Sequence, residues 1–294
     1  MKGVNFFLIG LTTSFLLAGL VNSSQARLED FFYRQFYLEP TTFLAQVPIK
    51  ETVNRILPEE AEIQAKSVLV LKISEDGNQE IIFEKDSQMR LPIASLTKLM
   101  TALISLENQK LSKAIETAGG EKLEVRELLK MALESSNDAA QALAEALGSE
   151  NFLALMNSRA AAIGLRSTKF STPTGLEAEN NFSTARDLAN LVLTILREQP
   201  VIFEISRQPE IAIFASDGRV DHRAVNTNEL LRSLDLSGDL KIIGGKTGFT
   251  EEAGGCLVLV LRDREGNTYI DVLLGTAGNG ARFLEARKLI EFFN

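Results

Sequence analysis

Tryptophan is absent from the 294 residues, and histidine and cysteine occur once each, as His222 and Cys256. A single cysteine excludes an intrachain disulfide framework. One histidine and one cysteine also fall short of the ligand sets that hold zinc and related ions, so no metal and no cofactor are expected. A Ser-His-Asp triad would have to run through His222 alone. That residue stands in Asp221-His222-Arg223 beside a polar stretch, no G-x-S-x-G accompanies it, and it reads as an exposed loop residue. Gly244, Gly245 and Gly248 lie close together but fit no G-x-x-x-x-G-K-[ST] pattern, which excludes a phosphate loop of that kind. Basic residues are outnumbered, 31 Lys and Arg against 39 Asp and Glu, for a net charge of −8. Phosphate backbones need a basic face, so nucleic acid is not an expected partner.

Hydrophobic residues make up 45% and charged residues 24%, the balance of a globular chain with a substantial core. The N-terminus differs from the rest. Lys2 precedes an apolar run over residues 4–21, and Asn22-Ser23-Ser24-Gln25-Ala26 follows with small residues at 24 and 26. Residues 1–26 therefore read as an export signal, either cleaved or retained as a membrane anchor. The protein is expected outside the cytoplasm, touching membrane through this segment alone. Residues 27–65 read as a linker with Pro40, Pro48 and Pro58, and with Phe31, Phe32, Tyr33, Phe36 and Tyr37 gathered in the stretch 31–43.

From residue 66 to 294 the pattern is that of one folded domain. Ser67–Ile73 and Gln79–Glu84 flank the turn signal Glu75-Asp76-Gly77-Asn78 and predict a hairpin. A helix is expected from about Ser95, with Leu99, Met100, Leu103, Ile104 and Leu106 as its apolar stripe. A second begins near Val125, pauses at Ser135-Ser136-Asn137-Asp138 and resumes through Ala139–Leu147. Thr184 with Asp187 marks another helix start. Strands are expected at Leu240–Lys246, Gly255–Arg262 and Thr268–Gly275, then a helix from about Ala281. Cys256 opens an apolar run to Leu261 and reads as a small buried strand residue. The fold class is α+β in two lobes: an antiparallel sheet built from both chain ends, a mostly helical lobe between, and a cleft where they meet.

With metals and a histidine triad set aside, serine and lysine remain as candidates for chemistry. Ser95-Leu96-Thr97-Lys98 puts a hydroxyl and an amine one turn apart at a helix start, where backbone N–H groups and the helix dipole favour developing negative charge. Lys246-Thr247-Gly248 closes an apolar strand after Gly244-Gly245, and those glycines would let a peptide approach the strand backbone closely. Ser135-Ser136-Asn137, alone, reads as a helix cap.

S-x-x-K, S-x-N and K-T-G in this order resemble the motif set of penicillin-recognising serine enzymes. From about Ser67 onward the chain resembles the low-molecular-mass penicillin-binding proteins, the serine-type D-Ala-D-Ala carboxypeptidases. Ser183–Leu188 and Asn226-Thr227-Asn228 share that likeness. The resemblance implies peptidoglycan stem peptides as substrates, β-lactams as covalent inhibitors, and residues 66–294 as the catalytic domain. It also implies that Ser95 attacks the carbonyl, Lys98 takes its proton, Ser135 relays a proton to the leaving D-alanine, and Asn137 binds the peptide or orients Lys98. Lys246 and Thr247 of the Lys246-Thr247-Gly248 motif would hold the terminal carboxylate, with the Ser95 and Phe249 N–H groups as the oxyanion hole. A lysine base working near pH 7 needs its pKa lowered by ~3 units from ~10.4, a cost of about 4 kcal/mol that burial and a second cation such as Lys246 can supply.

Other functions share parts of this pattern. A class A β-lactamase needs an E-x-x-L-N glutamate between the second and third motifs, and this chain has none; Ser136 also replaces the lactamase Asp. A non-catalytic sensor would be expected to carry a damaged motif. A cross-link endopeptidase acylates the same serine, and the close of the sequence at Phe292-Phe293-Asn294 leaves that reading open beside the carboxypeptidase one.

Overall fold

The computed structural model describes residues 63–176, 180–215, 219–233 and 240–293. The export segment, the aromatic stretch 31–43 and all of the linker before residue 63 lie outside the described residues.

Strands β1 (Ser67–Ile73) and β2 (Gln79–Lys85) form the expected hairpin. Its turn closes through Gly77, at φ 86°, whose N–H donates to the Ser74 carbonyl at 2.8 Å. Helices α1 (Lys98–Asn108), α2 (Val125–Leu133), α3 (Asn137–Glu145), α4 (Ser149–Ala162), α5 (Ala185–Glu198) and α6 (Val201–Ser206) follow. A small hairpin, β3 (Glu210–Phe214) and β4 (Val220–Val225), comes next. The chain then returns as β5 (Leu240–Thr250), β6 (Gly254–Asp263) and β7 (Thr268–Thr276), and α7 (Ala281–Phe293) follows.

The main sheet runs β2-β1-β7-β6-β5 with every neighbouring pair antiparallel, so strands from both ends of the sequence meet at β1 and β7. Both faces are covered. Leu69, Leu71, Cys256, Val258, Val260, Ile270 and Val272 pack toward the helical lobe. Val68, Val70, Leu257, Leu259, Leu261 and Leu273 pack with Phe283, Ala286 and Leu289 of α7. This double burial explains why Cys256–Leu261 is an unbroken apolar run instead of an alternating one, and Cys256 is a buried strand residue as expected.

Thr184 caps α5, its Oγ1 accepting from the Asp187 N–H at 3.0 Å. The Asp187 carboxylate does not reach back to the cap. It accepts instead from the Ser167 N–H and the Thr168 hydroxyl, both at 2.8 Å, tying α5 to the preceding loop. His222 is exposed as expected, but it sits on β4 opposite Ile213 and not in a loop.

One buried acid sits in the sheet. Asp271 is fully buried in β7 between Val70 and Leu259, and neither carboxylate oxygen has a hydrogen-bond partner among the described residues. Burial raises its pKa from the ordinary aspartate range to about 7. The folded state thus binds a proton that the unfolded state releases, and stability falls as pH rises from about 4 to about 7. Asp271→Asn removes this titration with little change of shape. Urea unfolding across that window should show the variant gaining on the parent by a few kcal/mol; a stability difference constant with pH would rule the account out.

Candidate active site

Ser95 lies in a single turn of 3-10 helix, Ala94–Thr97, that runs directly into α1. In a 3-10 turn, side chains three apart eclipse. Accordingly Lys98 Nζ stands 2.8 Å from Ser95 Oγ. The turn is held in an unusual shape: Ala94 has φ 46°, a region that costs a non-glycine residue of order 1–3 kcal/mol and persists only under constraint from neighbours. Asn181 Nδ2 donates to Thr97 Oγ1 at 2.6 Å, and Thr101 Oγ1 donates to the Pro173 carbonyl at 2.7 Å. Gly175, itself at φ 85°, presses so closely that a Cβ there would fall 1.9 Å from the Ala94 carbonyl oxygen. On the other side a Cβ at Gly248 would meet the Ile93 carbonyl at 2.9 Å and the Ser95 nitrogen at 3.1 Å. The K-T-G glycine therefore lets β5 pass against the backbone of Ser95.

Ser135-Ser136-Asn137 forms the break between α2 and α3. Ser136 alone plays the ordinary capping part, its Oγ accepting from the Ala139 N–H at 3.1 Å. Ser135, at φ 87°, turns its hydroxyl to Lys246 Nζ at 2.5 Å. Asn137 opens α3, and its Oδ1 accepts from Lys98 Nζ at 2.8 Å.

Strand β5 does not end at Lys246. It continues through Thr247, Gly248 and Phe249 to Thr250, paired with β6 along its length, so Lys246-Thr247-Gly248 lies inside an edge strand. The Gly245 N–H turns away from β6 and donates to Ser206 Oγ at 3.1 Å. Alternation along the strand puts the Thr247 and Phe249 N–H groups on that same outer edge. Phe249 thus presents its N–H on the side where an extended peptide could add to the sheet. The expected use of the preceding glycines is corrected. A Cβ at Gly244 would fall 2.5–2.7 Å from side-chain atoms of Phe203, and one at Gly245 would fall 2.6 Å from the Val258 carbonyl oxygen, so these spaces are filled by α6 and β6.

The site thus has two Ser–Lys pairs facing each other, Ser95–Lys98 and Ser135–Lys246. Both lysines are buried, and Lys98 also donates to the Thr174 carbonyl at 2.9 Å. Its three partners are neutral, and burial lowers its pKa to about 8. A neutral amine has two N–H donors and one lone pair. Asn137 Oδ1 and the Thr174 carbonyl take the donors, which leaves the lone pair for the Ser95 hydroxyl. Lys246 is lowered to about 7, first by burial and then by repulsion from Lys98, with Glu134 opposing. Thr247 Oγ1 lies 2.6 Å from Thr227 Oγ1, which brings Asn226-Thr227-Asn228 into the wall of the site.

Sequence reasoning assigned no role to Thr174, Gly175, Asn181 or Glu134. Glu134 stood beside a recognised motif, but a lone acid next to a serine carries no pattern. The other three lie outside the regular elements, and their place against the Ser95 turn is set by tertiary packing alone.

The sequence profile described as D-alanyl-D-alanine carboxypeptidase matches residues 104–277, more than half of the chain. The match begins within α1, after Ser95 and Lys98, so the placement of those two rests on the geometry above. The chain is 32% identical over 252 residues to a D-alanyl-D-alanine endopeptidase of Pseudomonas aeruginosa, covering 79% of this chain and 78% of that protein. It is 30% identical over 252 residues to a D-alanyl-D-alanine carboxypeptidase of Bacillus subtilis, covering 78% of this chain but 62% of that longer protein. Among solved structures, penicillin-binding protein D2 of Listeria monocytogenes, in its ampicillin-bound form, superposes with a TM-score of 0.68 at 29% identity. That alignment covers 78% of this chain and 97% of the Listeria chain. With its antiparallel sheet, helical lobe and facing Ser–Lys pairs, the chain belongs to the D-alanyl-D-alanine carboxypeptidase family of serine peptidases.

Proposed function

We propose that the chain hydrolyses the D-Ala-D-Ala bond of peptidoglycan stem peptides through an acyl-enzyme on Ser95, and that β-lactams inhibit it by acylating the same oxygen. The observation that carries this reading is Lys98 Nζ, buried and placed between Ser95 Oγ and Asn137 Oδ1 at 2.8 Å from each. Lys98 takes the Ser95 proton as Oγ bonds to the penultimate D-Ala carbonyl carbon. The N–H groups of Ser95 and Phe249 receive the oxyanion. The C–N bond breaks, and the leaving amine of D-alanine takes a proton relayed through Ser135. Water then attacks the Ser95 ester and releases the shortened peptide. Lys246 and Thr247 hold the terminal carboxylate, the position that a β-lactam carboxylate would share. The ampicillin-bound form of the Listeria relative supports the inhibitor part of the reading.

A second reading, cleavage of the D-Ala cross-link between stems, is supported by the Pseudomonas endopeptidase, of which this chain spans 78%. Mass spectrometry of muropeptides after incubation with the purified protein separates the two. Loss of one alanine from monomeric pentapeptides is expected, and conversion of cross-linked dimers to monomers would favour the second reading. If both substrates survive, neither hydrolytic reading stands.

Export, with residues 1–26 as a cleaved leader or residues 4–21 as a retained anchor, rests on the composition of that segment. Among the described residues no helix is long and apolar enough to cross a membrane. N-terminal sequencing of the protein from soluble and membrane fractions distinguishes leader from anchor; an intact N-terminus in the cytoplasmic fraction would refute both.

A further inference from the structure

Glu134 ends α2 and immediately precedes Ser135, whose hydroxyl holds Lys246 Nζ at 2.5 Å. Its carboxylate turns inward and is 9% exposed as a residue. Asn226 Nδ2 donates to Glu134 Oε1 at 3.0 Å while also reaching the Ser206 and Gln208 carbonyls at 2.9 Å. The Thr227 backbone faces the same carboxylate, and Thr227 Oγ1 touches Thr247 Oγ1 on β5. Glu134 thus joins the α2–α3 break to the 226–228 turn, and both of those segments touch the Lys246-Thr247 stretch.

The surrounding charges give this acid a specific partner. Arg232 also acts on this carboxylate, but its guanidinium donates to the Asn226 carbonyl at 2.9 Å and the Pro209 carbonyl at 3.3 Å. Lys130, on the same helix, is held by Glu127 at 2.8 Å. The other groups that act on Lys246 are cations, Lys98 from α1 and Arg282 from α7, both of which disfavour its charge. Glu134 is the group that favours it.

We propose that Glu134 is a positioning residue for acyl transfer: its negative charge keeps the proton on Lys246, ready for a substrate carboxylate, and so leaves Lys98 free to act as the base. The inference rests on the peptidase reading given above. Glu134 and Lys246 both titrate near pH 7, Glu134 raised by burial and Lys246 lowered by it, so they exchange protons as a coupled pair. Removing the negative charge lowers the affinity of Lys246 for its proton. The alkaline limb of activity, where Lys246 loses charge, must then move to lower pH.

The test is the second-order rate of acylation by a fluorescent penicillin between pH 5.5 and 9. It compares the parent protein, Glu134→Gln and Glu134→Asp, each checked for folding by circular dichroism. Glu134→Gln should move the alkaline limb down by about one pH unit, a tenfold loss above the limb with a much smaller loss below it. Glu134→Asp, which keeps the charge, should retain the parent limb. A Glu134→Gln profile parallel to the parent's would reduce Glu134 to a structural part and overturn the proposal. If Glu134→Gln does not fold, the aspartate variant decides alone, since a displaced limb there would also overturn it. Failure of the parent protein to be acylated at any pH would instead strike the peptidase reading itself.

Discussion

Ser95→Ala is expected to leave the protein folded and to remove covalent labelling by penicillin, together with D-alanine release, to the limit of detection. Loss of a catalytic nucleophile costs on the order of 10⁶ in turnover. The prediction is demanding because the site offers a second serine in contact with a lysine. Ser135 and Lys246 are 2.5 Å apart, and Lys246 is the more strongly shifted amine. Three features favour Ser95. It stands at the start of α1, where the helix dipole stabilises an alkoxide and an oxyanion. Gly248 lets β5 pass so close that a Cβ there would fall 3.1 Å from the Ser95 nitrogen. Its lysine is wired to neutral acceptors that leave a lone pair for its proton, whereas Lys246 also donates to the Thr247 carbonyl and is biased toward the charged state by Glu134. Intact-mass analysis after incubation with penicillin reads the outcome. An adduct on the Ser95→Ala protein, mapped to Ser135, would exchange the roles of the two pairs.

The parts of this arrangement that sequence could reveal are those held by local spacing. Ser95 and Lys98 are one turn apart, and that proximity survives whether the turn is 3-10 or α. The main sheet was legible for a similar reason, since long apolar runs such as Cys256–Leu261 fit a strand buried on both faces. Helix α4 left a weaker mark, because its buried side is a narrow line through Phe152, Met156 and Ala160. The β3–β4 hairpin was harder still: β4 reads Val-Asp-His-Arg-Ala-Val and buries none of these residues fully, so no alternation announces it. The end of β5 was misplaced because Thr247 and Gly248 have turn-like composition, while their strand geometry comes from pairing with β6. Least legible was the clasp around Ser95. Gly175 and Asn181 act across 80 or so residues of chain, and their effect depends on a close approach that no local pattern encodes.

Two buried lysines beside one another would be a liability if both had to be charged, and the geometry gives each a different way out. In the proposed reaction, a terminal carboxylate arriving at Lys246 and Thr247 brings a negative charge that favours a proton on Lys246. Repulsion then makes a second proton on Lys98 harder to keep, and substrate binding itself readies the base. In the free protein Lys98, at about 8, is neutral in only about one molecule in ten at pH 7. The acylation rate should therefore rise with pH while Lys98 sheds its proton and fall again as Lys246 loses its charge, a bell centred between about 7 and about 8.

Lys98→Ala should abolish that rise and slow acylation by about 10²–10⁴-fold, the span of general-base catalysis. The fold should survive, since the change removes a buried amine along with the cost of desolvating it. Asn137 Oδ1 and the Thr174 carbonyl lose a donor in exchange. Stopped-flow acylation across pH 6–9, with thermal melting as the control, provides the measurement. A Lys98→Ala protein that still acylates near the parent rate with the same rising limb would transfer the base to Lys246, acting through Ser135. A slow reaction that lacks the rising limb would place the proton of Ser95 on Lys98.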